Sequence, residues 1–219
     1  VRTSAVPDSH PVCVAARERG LPIFRRGEVL AAWSQRSTTV AVSGTHGKTT
    51  TSSMIAYLLR QAELDPGHAI GADTAWLDGP GSGGSGDLLV VEADESDGTL
   101  VHYQPQVGVI TNIEFDHMET FSNAEAFVEN FRVFARRCER VVWCADDAAT
   151  VEVVCEAGAA GDGFGFSEGA DWRATEVVYK PDEAMFTVRV QGMPRGQVVL
   201  PVTGRHQVLN ALAAMASAS

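Results

Sequence analysis

Thr38 to Gln61 reads TTVAVSGTHGKTTTSSMIAYLLRQ, and three elements follow from it. Thr38–Val42 is β-branched and apolar, which predicts a strand. Met54, Ile55, Leu58 and Leu59 recur at helical spacing, which predicts a helix over Thr49–Gln61. Between them lies Gly44-Thr45-His46-Gly47-Lys48-Thr49-Thr50. Glycines let a backbone close around an anion. Amides at a helix start point at that anion, and the helix dipole favours it. In this setting Lys48 is placed to bridge the β- and γ-phosphates of ATP, and the Thr49 hydroxyl to ligate Mg²⁺. The general pattern asks for a glycine five positions before Gly47, where this chain has Val42. A glycine-rich turn with no ligand is the alternative, and Gly-Lys-Thr at a strand–helix junction argues against it.

Two more apolar strands end in polar motifs. Leu88–Val91 runs into Glu92-Ala93-Asp94-Glu95-Ser96-Asp97. Val107–Thr111 runs into Asn112-Ile113-Glu114-Phe115-Asp116-His117-Met118-Glu119. Open parallel sheets gather ligands at the carboxyl ends of their strands. A carboxylate there can hold Mg²⁺ against phosphate, and two acids with an imidazole can complete a metal site. Alone, the first motif reads as a solvated acidic loop and His117 as a structural histidine. Beside a phosphate loop, both point to one site. Gly204-Arg205-His206-Gln207-Val208-Leu209-Asn210 opens the last helix. There His206 and Asn210 can pack on and hydrogen-bond an adenine edge, with an ordinary helix cap as the alternative.

The remaining chain fixes the class. Near-continuous apolar strands alternate with helices over residues 38–156. Among the helices are Ala124–Arg137, with Phe127, Val128, Phe131 and Phe134 on one face, and a short one near Asp147–Cys155. That pattern predicts an α/β fold, a mainly parallel sheet of the phosphate-loop type flanked by helices. Gly163–Phe166, Thr175–Tyr179, Met185–Val190 and Gln197–Leu200 predict a small antiparallel sheet at its edge. Gly79–Gly86 reads as a flexible loop. Residues 1–36 read as a short βαβ piece, with strands at Thr3–Val6 and Leu21–Phe24, too small to bury a core alone. The expected division is therefore 1–36, the remnant of a preceding domain, and 37–219, a central domain.

Composition excludes several functions. The 219 residues carry a formal net charge of −11, which argues against a nucleic-acid surface. No apolar run approaches the roughly 20 residues that span a bilayer, and Val1-Arg2-Thr3-Ser4 shows no secretion signal, so a cytoplasmic protein trimmed at its start is expected. The four cysteines, Cys13, Cys138, Cys144 and Cys155, have no zinc-ligand spacing and read as free thiols.

The four motifs together resemble the Mur ligase family, which includes folylpolyglutamate synthetase. A Gly-Thr-x-Gly-Lys-Thr/Ser loop is similar to Gly44–Thr49 and accounts for the missing outer glycine. Glu-Ala-Asp-Glu-Ser-Asp and Thr-Asn-Ile-Glu-x-Asp-His-Met most resemble the members that join L-alanine to UDP-N-acetylmuramate in peptidoglycan precursor synthesis. The resemblance implies a three-domain enzyme, with the remnant 1–36 Rossmann-like and UDP-sugar-binding, 37–219 ATP-binding, and an amino-acid domain absent. It implies ATP and Mg²⁺ as cofactors, UDP-N-acetylmuramate and L-alanine as substrates, and an acyl-phosphate intermediate. Catalytic roles fall on Lys48, Glu92 and His117, and metal ligation on Thr49, Glu92 and His117. ATP contacts fall on Gly44, Thr45, His46, Gly47, Lys48, Thr49, Thr50, His206 and Asn210. Glu95, Ser96, Asp97, Asn112 and Glu114 lie at the substrate or behind these ligands. Gln207 replaces an asparagine common in the family. With Lys180 as the sole lysine besides Lys48, the chain lacks the carbamylated lysine of several Mur ligases. This piece alone is expected not to ligate. Another amide ligase of the family, such as a murein tripeptide ligase, and a non-catalytic nucleotide-binding module are the alternatives.

Overall fold

A computed structural model describes residues 1–3, 5–74, 76–115, 121 and 123–219. Two helices come first, α1 (Pro11–Glu18) and α2 (Arg26–Ser34). Strand β1 (Thr38–Ser43) then leads through the glycine-rich turn into α3 (Lys48–Gln61). Short strands β2 (Gly67–Ala69) and β3 (Gly81–Ser82) precede β4 (Leu88–Glu92) and β5 (Val107–Ile110). Next come α4 (Ala124–Arg137), β6 (Arg140–Cys144), α5 (Ala148–Ala157) and β7 (Gly161–Gly165). The chain closes with β8 (Trp172–Tyr179), β9 (Ala184–Val190), β10 (Met193–Leu200) and α6 (Arg205–Ser217).

The ten strands among the described residues form one sheet in the order β10-β9-β8-β7-β6-β5-β1-β4-β2-β3. β1 is central and pairs in parallel with both β4 and β5, with Val42 beside Glu92 and Ser43 beside Ile110. Chain order reverses around β1, so the polar segments after β1, β4 and β5 emerge side by side at one carboxyl edge. Side chains alternate across the sheet. Val40, Val42, Val90 and Val109 face the core beneath α3 and α6, where Ala211, Ala213, Ala214 and Ala216 let the helix lie close. Ala41, Leu89, Val91 and Ile110 face Phe127, Phe131 and Phe134 of α4.

The α/β class and the antiparallel edge of β8, β9 and β10 stand as expected. Three local expectations do not. Residues 163–165 fall in β7, which runs parallel to β6 because α5 carries the chain back to the same edge. Gly81–Ser82 is a short strand paired with β2. Among the described residues of 3–6 and 21–24 no strand forms. Among the described residues of 1–36 a single parallel bridge forms, Arg2 to Arg25, since so short a pair has no third strand to join.

Candidate functional site

The turn after β1 has two left-handed glycines where only glycine fits. Gly44 has φ 130°, and a Cβ there would sit 2.1 Å from Thr111 Oγ1. Gly47 has φ 85°, and its Cβ would meet Asn210 Oδ1 at 2.7 Å. The ladder of α3 begins with Thr51 N–H donating to Gly47 O at 2.9 Å. The first-turn amides before it are left to an outside acceptor, as at any helix start.

Lys48 curls back over its own turn. Its Nζ donates to Gly44 O at 2.7 Å and Thr45 O at 3.2 Å, and pairs with Glu95 Oε2 at 2.8 Å. The Glu95 side chain is 1% exposed. Burial pushes its carboxyl above the ordinary carboxylate range, and the Lys48 ammonium opposes that rise. Thr49 Oγ1 donates to Glu92 Oε2 at 2.9 Å, and the Gly71 amide donates to the same oxygen at 2.9 Å. A hydroxyl and a carboxylate so close offer hard oxygen donors of the kind magnesium takes beside phosphate, so Thr49 and Glu92 fit that ion. Among the described residues no cluster of three or more His, Cys, Asp or Glu is placed to hold a metal. His117 lies outside the described residues, as do Asp116 and Glu119.

Asn112 follows β5 and grips the turn. Its Oδ1 accepts from His46 N–H at 2.9 Å, and its Nδ2 donates to His46 O at 2.9 Å. Its own carbonyl accepts from Thr45 N–H at 3.0 Å. Thr111 Oγ1 donates to His46 O at 2.6 Å. Glu114 N–H donates to Thr45 Oγ1 at 2.9 Å, and the Glu114 carboxylate lies 3.6 Å from His46 Nε2. Asn210 is buried below Gly47 and accepts from Thr51 Oγ1 at 3.3 Å, which ties α6 to the start of α3. His206 is exposed at the start of α6.

Of the residues after β4, the sequence assigns Glu92 to the metal and Glu95, Ser96 and Asp97 to the substrate or the shell behind the ligands. Glu92 and Glu95 turn toward the glycine-rich turn. The Ser96 amide instead donates to Asp94 Oδ1 at 2.9 Å, and Asp97 Oδ1 accepts from the Thr99 amide at 2.9 Å and its hydroxyl at 2.6 Å. A polar cavity of about 360 Å³ opens beside Glu92, lined by Arg26, Gly71, Asp94, Asp97 and Tyr103. Arg26 and Gly71 carried no signal in the sequence. Their place depends on α2 and β2 packing at this edge. Lys180 pairs with Glu183 at 2.5 Å in the β8–β9 turn.

Residues 83–218 match the family described as the Mur ligase middle domain. Over 236 residues the chain is 41% identical to the UDP-N-acetylmuramate–L-alanine ligase of Frankia casuarinae, covering 100% of this chain and 47% of that protein. Among solved structures it is similar to the UDP-N-acetylmuramate–alanine ligase of Thermotoga maritima, with TM-score 0.87 and 30% identity over 98% of this chain and 49% of that one. It is also similar to the UDP-N-acetylmuramate:L-alanyl-gamma-D-glutamyl-meso-diaminopimelate ligase of Neisseria meningitides, with TM-score 0.85 and 28% identity over 97% of this chain and 70% of that one. The chain thus spans about half the length of the curated relatives it matches. Among the described residues no helix is long and apolar enough to cross a membrane.

Proposed function

The chain belongs to the Mur ligase family, and from that premise we propose that it is the ATP-binding part of an enzyme joining L-alanine to UDP-N-acetylmuramate. The observation that carries the reading is the meeting of Lys48, Thr49 and Glu92 at the carboxyl ends of two neighbouring parallel strands. On this reading residues 1–36 end a UDP-sugar-binding domain and residues 37–219 bind ATP, with His206 and Asn210 toward the adenine and His117 as a further metal ligand.

A carboxylate is a poor acyl donor until one of its oxygens leaves as phosphate. In the proposed reaction a carboxylate oxygen of the sugar attacks the γ-phosphorus, the bond to the bridging oxygen breaks, and ADP departs with that electron pair. The amine nitrogen of alanine then attacks the acyl carbon, the bond to the phosphate oxygen breaks, and the nitrogen loses a proton. Amide, ADP and phosphate result. Magnesium, when bound, neutralises anions brought face to face, and Thr49 and Glu92 would hold it. The chain's own part is positioning. Lys48 and the first-turn amides of α3 hold the phosphates. The cavity beside Glu92 admits the acceptor, where Arg26 supplies a cation for its carboxylate.

The test supplies Mg-ATP, UDP-N-acetylmuramate and L-alanine to the intact protein that contains this chain. ADP should form only when all three are present, with UDP-N-acetylmuramoyl-alanine seen by mass spectrometry. Product from L-alanyl-γ-D-glutamyl-meso-diaminopimelate in place of alanine would move the assignment to the murein peptide ligases. Nucleotide binding without any ADP formation would leave a binding module.

A further inference from the structure

Two backbone amides of the phosphate loop are already spent. Thr45 N–H goes to the Asn112 carbonyl and His46 N–H to the Asn112 side chain, at 3.0 and 2.9 Å. The His46 carbonyl takes two further bonds, from Asn112 Nδ2 at 2.9 Å and Thr111 Oγ1 at 2.6 Å. The amide of Asn112 therefore pairs with the His46 peptide as a neighbouring strand would, donating once and accepting once. Gly44 lies directly on this pair, since a Cβ there would meet Thr111 Oγ1 at 2.1 Å and the Asn112 carbonyl at 3.0 Å.

We propose that Asn112, backed by Thr111, is a positioning residue that clamps the first half of the phosphate loop to the end of β5 and so aims the second half, Gly47 to Thr50, at the triphosphate. The proposal rests on the reading of Gly44–Thr50 as a nucleotide loop and adds a division of labour within it. The amides of Thr45 and His46 anchor, and those that follow bind. Backbone groups that are paired cannot swing toward a ligand without giving up a bond, so the clamp lowers the ordering that nucleotide binding must impose. Asparagine suits the position because one planar amide offers a donor and an acceptor together. Aspartate would keep only the acceptor and would add negative charge beside a polyanion. Leucine would keep the size and neither bond.

The experiment compares the unmodified chain with Asn112→Ala and Thr111→Val, using Mg-AMP-PNP and adenosine as separate probes in calorimetry, with hydrogen exchange of peptides covering 38–43 and 44–50. Asn112→Ala should speed exchange in 44–50 at least tenfold, leave 38–43 protected, and weaken Mg-AMP-PNP about tenfold while adenosine affinity holds. Thr111→Val, close in shape and lacking one donor, should show the same pattern at about threefold and covers the case in which Asn112→Ala does not fold. Unchanged exchange in 44–50, or faster exchange with unchanged Mg-AMP-PNP affinity, would overturn the clamp. Equal losses for adenosine and Mg-AMP-PNP would overturn it too, because that pattern means general loosening of the fold. Failure of the unmodified chain to bind either probe would instead refute the nucleotide reading, and the exchange data would still decide whether Asn112 holds the loop.

Discussion

Lys48 has three N–H donors, and Gly44, Thr45 and Glu95 take them all. On the proposed reading a bound triphosphate would displace at least one of these partners, and a charged hydrogen bond of about 1.5–3 kcal/mol would offset that loss. Lys48→Ala should therefore weaken Mg-ATP binding by roughly 10- to 100-fold in calorimetry. Equal affinity would remove Lys48 from the site. The same substitution should cost stability, by up to about 3–5 kcal/mol, because it takes away the cation that faces a buried carboxylate. Burial already holds the Glu95 carboxyl above the ordinary range, and loss of the opposing ammonium raises it further. The folded variant then keeps a proton that the unfolded chain has released, so its stability falls as pH rises through the folded value and is fullest below the unfolded one. Thermal melts of Lys48→Ala should thus recover toward the parent as pH is lowered from 8 to 5, and adding Glu95→Gln should restore melting without restoring nucleotide. A Lys48→Ala chain that melts like the parent at every pH would show that the pair contributes nothing to folding. That Lys48 and Thr49 open a helix after a glycine-rich turn was legible in the sequence, because that arrangement follows from a local pattern. The pairing of Glu95 with Lys48 was not, because it depends on β4 lying against β1, which no local spacing reveals.

The long elements announced themselves, and the short ones did not. The apolar stripe of α4 predicts its face, and the structure puts Phe127 and Phe131 on it with ring centroids 5.3 Å apart. Strands β2 and β3 are three and two residues long, so neither shows an alternation that periodicity could find. Their pairing comes from the edge of β4, a tertiary cause. Strand β7 was seen, but its direction was not, because direction is set by the helix that precedes it. Gly108 within β5 illustrates the same limit. Nothing in the spacing of this strand marks the glycine, yet a Cβ there would meet Cys138 Sγ at 2.2 Å and the Phe134 ring at 3.1 Å. This glycine is what lets the end of α4 lie close to β5. Gly108→Ala should cost about 1–3 kcal/mol by overpacking, read as a lower denaturant midpoint with unchanged slope. Cys138→Ala in the same chain should recover part of that loss but not all, since the Phe134 contact remains. If Gly108→Ala melts like the parent, α4 can slide, and the close approach sets nothing.

Taken whole, the proposed nucleotide site sits at the carboxyl edge of a sheet in a chain about half as long as its curated relatives. Val12, Leu21, Phe24 and Trp33 of the first 36 residues stand well exposed, and the relatives are about twice as long. The polar cavity beside Glu92 lies against that same segment, lined by Thr3, Arg26 and Gly27 on one side and by the residues after β4 on the other. On the proposed reading this chain holds the phosphates, while the acceptor sugar and the amine would meet an open rim. An acyl phosphate made there would face water, and alanine would have no wall to hold it in line. Correct orientation of reactants can contribute roughly 7–11 kcal/mol of the barrier, and its loss alone places the rate below detection. The expected result is that these 219 residues bind Mg-ATP yet form no UDP-N-acetylmuramoyl-alanine when given both substrates, followed by mass spectrometry over hours. ADP could still form slowly, since phosphoryl transfer to water needs only the nucleotide site. Ligation at the rate of the intact protein would mean that the acceptor and amine sites both lie within Val1–Ser219, and the division at residue 36 would have to be abandoned.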